Sequence, residues 1–129
     1  MGVGVDLCSV SRLQAALERT PGLWNRLFTA VEQRALQEQR VGRGSVAVAA
    51  IAAQMFAVKE AVMKSLGVGF DTVPFDSIEV DAVAPSILLH GVASERAERL
   101  GAGSFDVQLG FVDGPDGRVA VAEVVAIGR

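Results

Sequence analysis

Residues 45–67 read SVAVAAIAAQMFAVKEAVMKSLG, and the arrangement of the whole chain turns on this stretch. Ser45 stands where an N-cap belongs and Gly67 where a helix stops on a left-handed glycine, so the segment reads as one long helix. From Val46 to Val58 it is apolar nearly all round and interrupted only by Gln54, which makes it the buried centre of a fold. The apolar run falls short of the roughly 18 to 20 residues that cross a bilayer. A core helix is expected, and no membrane partner.

Upstream, MGVGVDL at 1–7 alternates weakly and reads as a short buried strand ending at Asp6. Ser9 caps an amphipathic helix carrying Val10, Leu13, Ala16 and Leu17 and running to about Arg19. Thr20, Pro21 and Gly22 break it. A short helical piece with Leu23, Leu27 and Phe28 follows, then a helix capped by Thr29 with Glu32 at the capping-box spacing and ended by Gly42 and Gly44. Downstream of Gly67, the loop VGFDTVPFD leads into strands at Ser77–Asp81 and Ile87–His90, a helix at Ala93–Leu100, and a hairpin of Phe105–Val112 and Arg118–Ile127 around Asp113-Gly-Pro-Asp-Gly117. The expected fold is α+β, a long central helix packed on an antiparallel sheet, with residues 1–129 forming a single domain.

Composition narrows the function. The formal net charge is −3, and six Phe, one Trp and no Tyr leave few stacking platforms, so a nucleic-acid partner is not expected. The single cysteine, Cys8, forms no internal disulfide and fits a reducing, cytoplasmic setting. With His90 the lone histidine, a four-ligand zinc site of the usual kind is not available, and any metal must rest on oxygen. Charge is unevenly spread. Residues 1–43 carry six Arg against four acids, whereas 44–129 carry six bases against eleven acids. Arg12, Arg19 and Arg26 recur every seven residues, which on a continuous helix is either a solvated face or a patch for an acidic partner.

Two anomalies point to chemistry. Lys59, Glu60 and Lys64 are charges at the exit of an otherwise apolar helix, and Glu60 and Lys64 share a face at i, i+4. Alone they read as a surface ion pair. Asp6 at the end of the first strand is either a cap for the following helix or a carboxylate held for a metal. Two carboxylates about 4 Å apart repel by ~4 kcal/mol at an effective dielectric near 20, so Asp6 and Glu60 would converge only around a cation, for which Mg²⁺ suits hard oxygen ligands.

Several segments in register resemble the holo-acyl-carrier-protein synthases: G-V-D-L at 4–7 with Ser9-Val-Ser-Arg12-Leu, F-T-A-V-E at 28–32, F-A-V-K-E-A-V-M-K-S-L-G-V-G at 56–69, and the run from Phe75 to Gly101. The resemblance implies a 4′-phosphopantetheinyl transferase-like fold and transfer of the coenzyme A arm to a serine of an apo acyl carrier protein, releasing adenosine 3′,5′-bisphosphate. It implies that Asp6 and Glu60 hold Mg²⁺ against the pyrophosphate, that Lys64 neutralises developing charge with Lys59 in support, and that Gly67 and Gly69 lie by the nucleotide. The proton acceptor is a metal-bound water or one of the carboxylates. Arg12 is placed on the carrier-docking helix, with Arg19 and Arg26 added from spacing. Single-length members are homotrimers with shared active sites, so the hairpin and central helix are expected to form an interface.

Three features depart from the pattern. V-Q-L-G-F-V at 107–112 puts Gly110 and Phe111 where the family carries a serine and a cofactor-binding histidine, Met55 replaces a common arginine, and the Asp113–Gly117 turn lengthens the hairpin. These changes leave two readings: a transferase with altered coenzyme A contacts, or an impaired paralogue that binds a carrier protein or partner subunit.

Overall fold

The computed structural model describes residues 2–129; Met1, placed in the first strand by its sequence, lies outside them. The chain opens with strand β1 (Gly2–Ser9) and helix α1 (Val10–Arg19), whose N-cap Ser9 accepts from the Arg12 backbone N–H. A five-residue helix α2 (Leu23–Leu27) precedes α3 (Ala30–Arg43), which starts with a complete Thr29/Glu32 capping box. Gly42 does not end α3; the helix runs on to Gly44, whose φ of 90° turns the chain.

Helix α4 (Ser45–Ser65) is the centre of the fold, with fourteen of its 21 residues buried. Ser45 is already inside it, and the N-cap position belongs to Gly44 without a side-chain bond. At the other end Gly67 (φ 68°) closes a Schellman motif: its N–H bonds the Lys64 carbonyl and the Val68 N–H bonds that of Met63. The helix is long and apolar enough to cross a membrane by length and composition, but most of it is buried within this fold.

After a 3₁₀ turn (Phe75–Ser77) come β2 (Ile78–Asp81) and β3 (Ser86–Leu89), helix α5 (Gly91–Arg99), and the long hairpin β4 (Ala102–Gly114) and β5 (Gly117–Gly128). The expected single sheet is in fact two: an antiparallel three-stranded sheet in the order β1-β5-β4 and a separate β2-β3 hairpin. The strand propensities of 77–90 could not reveal this, because pairing partners are chosen by tertiary packing. His90 lies just beyond β3 at the N-cap of α5, where its backbone N–H bonds the Ser77 carbonyl.

On β5, Ala120, Ala122, Val124 and Ala126 face inward and are essentially inaccessible. Small inward side chains let α4 sit close to the sheet. The approach is closest at β1, where a Cβ on Gly4 would lie 1.9 Å from the Ala61 carbonyl oxygen and one on Gly2 would lie 2.0 Å from that of Ser65. Backbone rests on backbone, which only glycine permits.

Candidate active site

This close packing positions the first carboxylate. Two strand residues advance about 6.6 Å and one helical turn about 5.4 Å, so as β1 steps from Gly2 to Gly4 it descends α4 from Ser65 to Ala61. The next inward residue, Asp6, therefore comes level with the turn containing Glu60. Lys64 reaches back from the last turn of α4, its Nζ donating to Asp6 Oδ1 at 2.7 Å and to the Val5 carbonyl at 3.1 Å. The hydrogen bond to Asp6 raises the Lys64 pKa, so it stays an ammonium. Glu60 is pushed up chiefly by burial and then by the charge of Asp6, with Lys64 opposing. The structure thus brings these three residues together through a Lys64–Asp6 ion pair that the sequence reading did not name.

Cys8, two residues beyond Asp6 on the same strand face, is buried, and its thiol is raised to about 11 by burial and by Asp6 and Glu60. It is an inert packing group. Among the described residues no third His, Cys, Asp or Glu joins Asp6 and Glu60 in a metal cluster. Two hard carboxylates nevertheless suit Mg²⁺, which commonly takes one or two protein carboxylates and completes its shell with water and substrate oxygens.

Lys59 requires a correction. It does not sit beside Lys64 but points into the core, with 0% of its surface exposed. Its three ammonium protons go to the Glu32 Oε1 at 2.6 Å, the Leu27 carbonyl at 2.6 Å and the Phe75 carbonyl at 3.0 Å. Glu32 in turn accepts from the Thr29 and Val80 backbone N–H groups. This satisfied ion pair ties α2, α3, α4 and β2 together and leaves Lys59 no proton for a substrate. Sequence showed Glu32 as a capping residue but not as the partner of a lysine 27 positions away, because the match between them exists only in three dimensions.

Gly67 and Gly69 follow directly after α4; the glycine at 67 is required by the helix stop itself. Phe111 lies on the inner face of β4, 38% exposed, with the Arg118 guanidinium 4.9 Å above its ring. Arg118 is a contact that the sequence reading missed. Arg12 and Arg19 share the exposed face of α1, whereas Arg26 belongs to the separate α2, so its seven-residue spacing does not place it in the same row. A cavity of about 690 Å³ lies between α3, α4 and the β2-β3 hairpin. Its wall includes Met55, 3% exposed, but neither Glu60 nor Lys64.

A sequence profile of the 4′-phosphopantetheinyl transferase superfamily matches residues 2–112. The chain belongs to that superfamily. Relatives within it include the holo-[acyl-carrier-protein] synthase of Frankia casuarinae, 38% identical over 128 residues that cover 98% of this chain and 96% of that protein. That of Streptomyces coelicolor is 39% identical over 125 residues, 95% of this chain and 97% of its own. The transferase fold recurs in the acyl carrier protein synthase of Plasmodium yoelii with ADP bound (TM-score 0.84, 23% identity, 99% of this chain and 95% of that one). It recurs also in the Helicobacter pylori holo-[acyl-carrier-protein] synthase in complex with coenzyme A (TM-score 0.74, 22% identity, 97% and 99%).

Proposed function

We propose that this chain transfers the 4′-phosphopantetheine arm of coenzyme A to a serine hydroxyl of an apo acyl carrier protein, releasing adenosine 3′,5′-bisphosphate. The observation that carries this reading is the Asp6, Lys64 and Glu60 cluster on a superfamily scaffold. Asp6 and Glu60 are the residues that would hold Mg²⁺, which when bound polarises phosphate oxygens and orients the pyrophosphate. Lys64 is half exposed at the rim of the cluster, where its ammonium meets an incoming phosphate and offsets charge on the leaving group. The proton of the serine hydroxyl goes to one of the two carboxylates or to a water beside them.

Arg12 and Arg19 on α1 present positive charge to an acidic carrier, in keeping with the basic amino-terminal third. A homotrimer is part of the same proposal. The outer face of the three-stranded sheet exposes Val3, Val5 and Leu7 on β1, Val112 on β4 and Ile127 on β5, an apolar surface crossed by Asp106, Gln108 and Glu123, and it is the largest exposed apolar feature of the sheet available to an interface. Helix α4 is mostly occupied inside its own chain, so the sheet face, not the helix, is the better-supported contact. A shared site also accounts for the position of the cavity around Met55, on a different face of α4 from Glu60.

The test is incubation with coenzyme A, Mg²⁺ and several apo carrier proteins, with mass spectrometry reading the added arm. Wild type is expected to modify at least one carrier, and Asp6→Ala and Glu60→Ala to abolish transfer while keeping a folded circular-dichroism spectrum. Absence of both transfer and coenzyme A binding in the wild type would sink the proposal in favour of a carrier-binding paralogue.

A further inference from the structure

From Phe56 to Ser65, the second half of α4, every residue is buried except Phe56, Glu60 and Lys64, a row spaced four apart along one helix face. The two charges of the site therefore share that face with an aromatic ring. From Phe56 a ladder leads outward: its ring lies 5.3 Å from that of Phe75, which stacks at 6.0 Å and 10° on Phe70. Phe70 stands 66% exposed and lies outside the 690 Å³ cavity. Its loop is not slack. The Thr72 and Val73 N–H groups both bond the Gly69 carbonyl, Val73 is fully buried, and the Lys59 ammonium holds the Phe75 carbonyl. The chain thus doubles back from the end of α4 to the level of Phe56, one helical turn from Glu60, and props a phenylalanine into solvent on the ring beneath it. A fixed aromatic side chain loses little conformational entropy when covered, and such residues anchor protein partners. A thin ligand is usually bound in a cleft, whereas a protruding ring fits a groove on a folded partner.

We infer that Phe70 is a specificity-determining residue that docks the carrier protein through apolar side chains beside the modified serine, an inference that rests on the transferase reading above. The serine hydroxyl must reach Glu60 and Lys64, so the chain flanking it crosses the adjoining surface. At about 3.3 Å per extended residue, three or four residues span the ring spacings from Phe56 to Phe70. The charges on this loop, Asp71 and Asp76, are acidic and exposed, so an acidic carrier is not drawn here by charge. The contact is apolar, unlike that offered by Arg12 and Arg19 on α1.

The experiment is steady-state transfer by the full-length protein with coenzyme A, Mg²⁺ and an apo carrier that the wild type modifies, each substrate varied in turn at low and high salt. Phe70→Ala is expected to raise the carrier KM roughly tenfold to a hundredfold, the effect of one phenylalanine side chain left unburied, with kcat changed far less. The coenzyme A KM and the melting temperature should stay near wild type, and Phe70→Leu, still apolar, should recover most of the loss. An apolar contact is not screened, so the defect should persist at high salt. An unchanged carrier KM, an equal rise in the coenzyme A KM, or a defect erased by salt overturns the inference while leaving the function intact. A wild type that transfers the arm to no carrier refutes both.

Discussion

Gly4→Ala tests whether backbone packing, and not side-chain chemistry alone, assembles the active site. The new Cβ would stand 1.9 Å from the Ala61 carbonyl oxygen and must retreat beyond 3.0 Å, so β1 and α4 separate by more than 1 Å. Both contacting groups are backbone or bound directly to it, and no rotamer change relieves the clash. Overpacking of this kind costs about 3 kcal/mol, at the upper end of the usual range. For a chain of this size that lowers the melting temperature by roughly 10 °C. Asp6, two residues along the same strand, moves away from Glu60 and Lys64, and a misplacement of about 1 Å costs on the order of a hundredfold in rate. The assays are thermal unfolding and the rate of carrier modification by mass spectrometry. Wild-type values of both in Gly4→Ala would refute the claim that glycine sets this approach.

Lys59→Met should destabilise the protein by about 3 to 5 kcal/mol in urea unfolding, because it strands the Glu32 carboxylate in the core. Adding Glu32→Leu should recover much of that loss, and strictly additive effects would show that the two are not coupled. Glu60→Gln addresses pH. The folded protein raises the Glu60 pKa, so the stability this group contributes is complete below its unfolded pKa and is lost as pH rises through the raised folded value. In metal-free protein the melting temperature of Glu60→Gln should therefore overtake that of wild type as pH climbs through the mildly acidic range. A gap independent of pH would contradict that assignment.

Local signals carried much of the architecture. Ser9, Thr29 and Gly67 mark helix ends by chemistry that acts over three or four residues, and each does so in the structure. The apolar run of α4 marks it as the core because a helix hydrophobic on all sides has nowhere else to go. Ser45 misled, since Gly44 already supplies the sharp turn into that helix. Asp6, Glu60 and Lys64 were legible as charges out of place in apolar elements. Lys59 carried the same signal and meant something different.

That contrast separates what the chain fixes locally from what folding decides. By itself the sequence determined the central helix and the helix ends at Ser9, Thr29 and Gly67, since these depend on near neighbours along the chain, whereas Asp6 and Glu60, distant in sequence, were joined only by the resemblance to a known family. Tertiary structure alone decided that β2 and β3 leave the main sheet, that Lys59 is paired with Glu32 while Lys64 faces Asp6, and that Gln54 lines a cavity. Whether a buried charge or amide is structural or functional depends on which distant atoms meet it, and those distances are set only when backbone packs on backbone at Gly2 and Gly4.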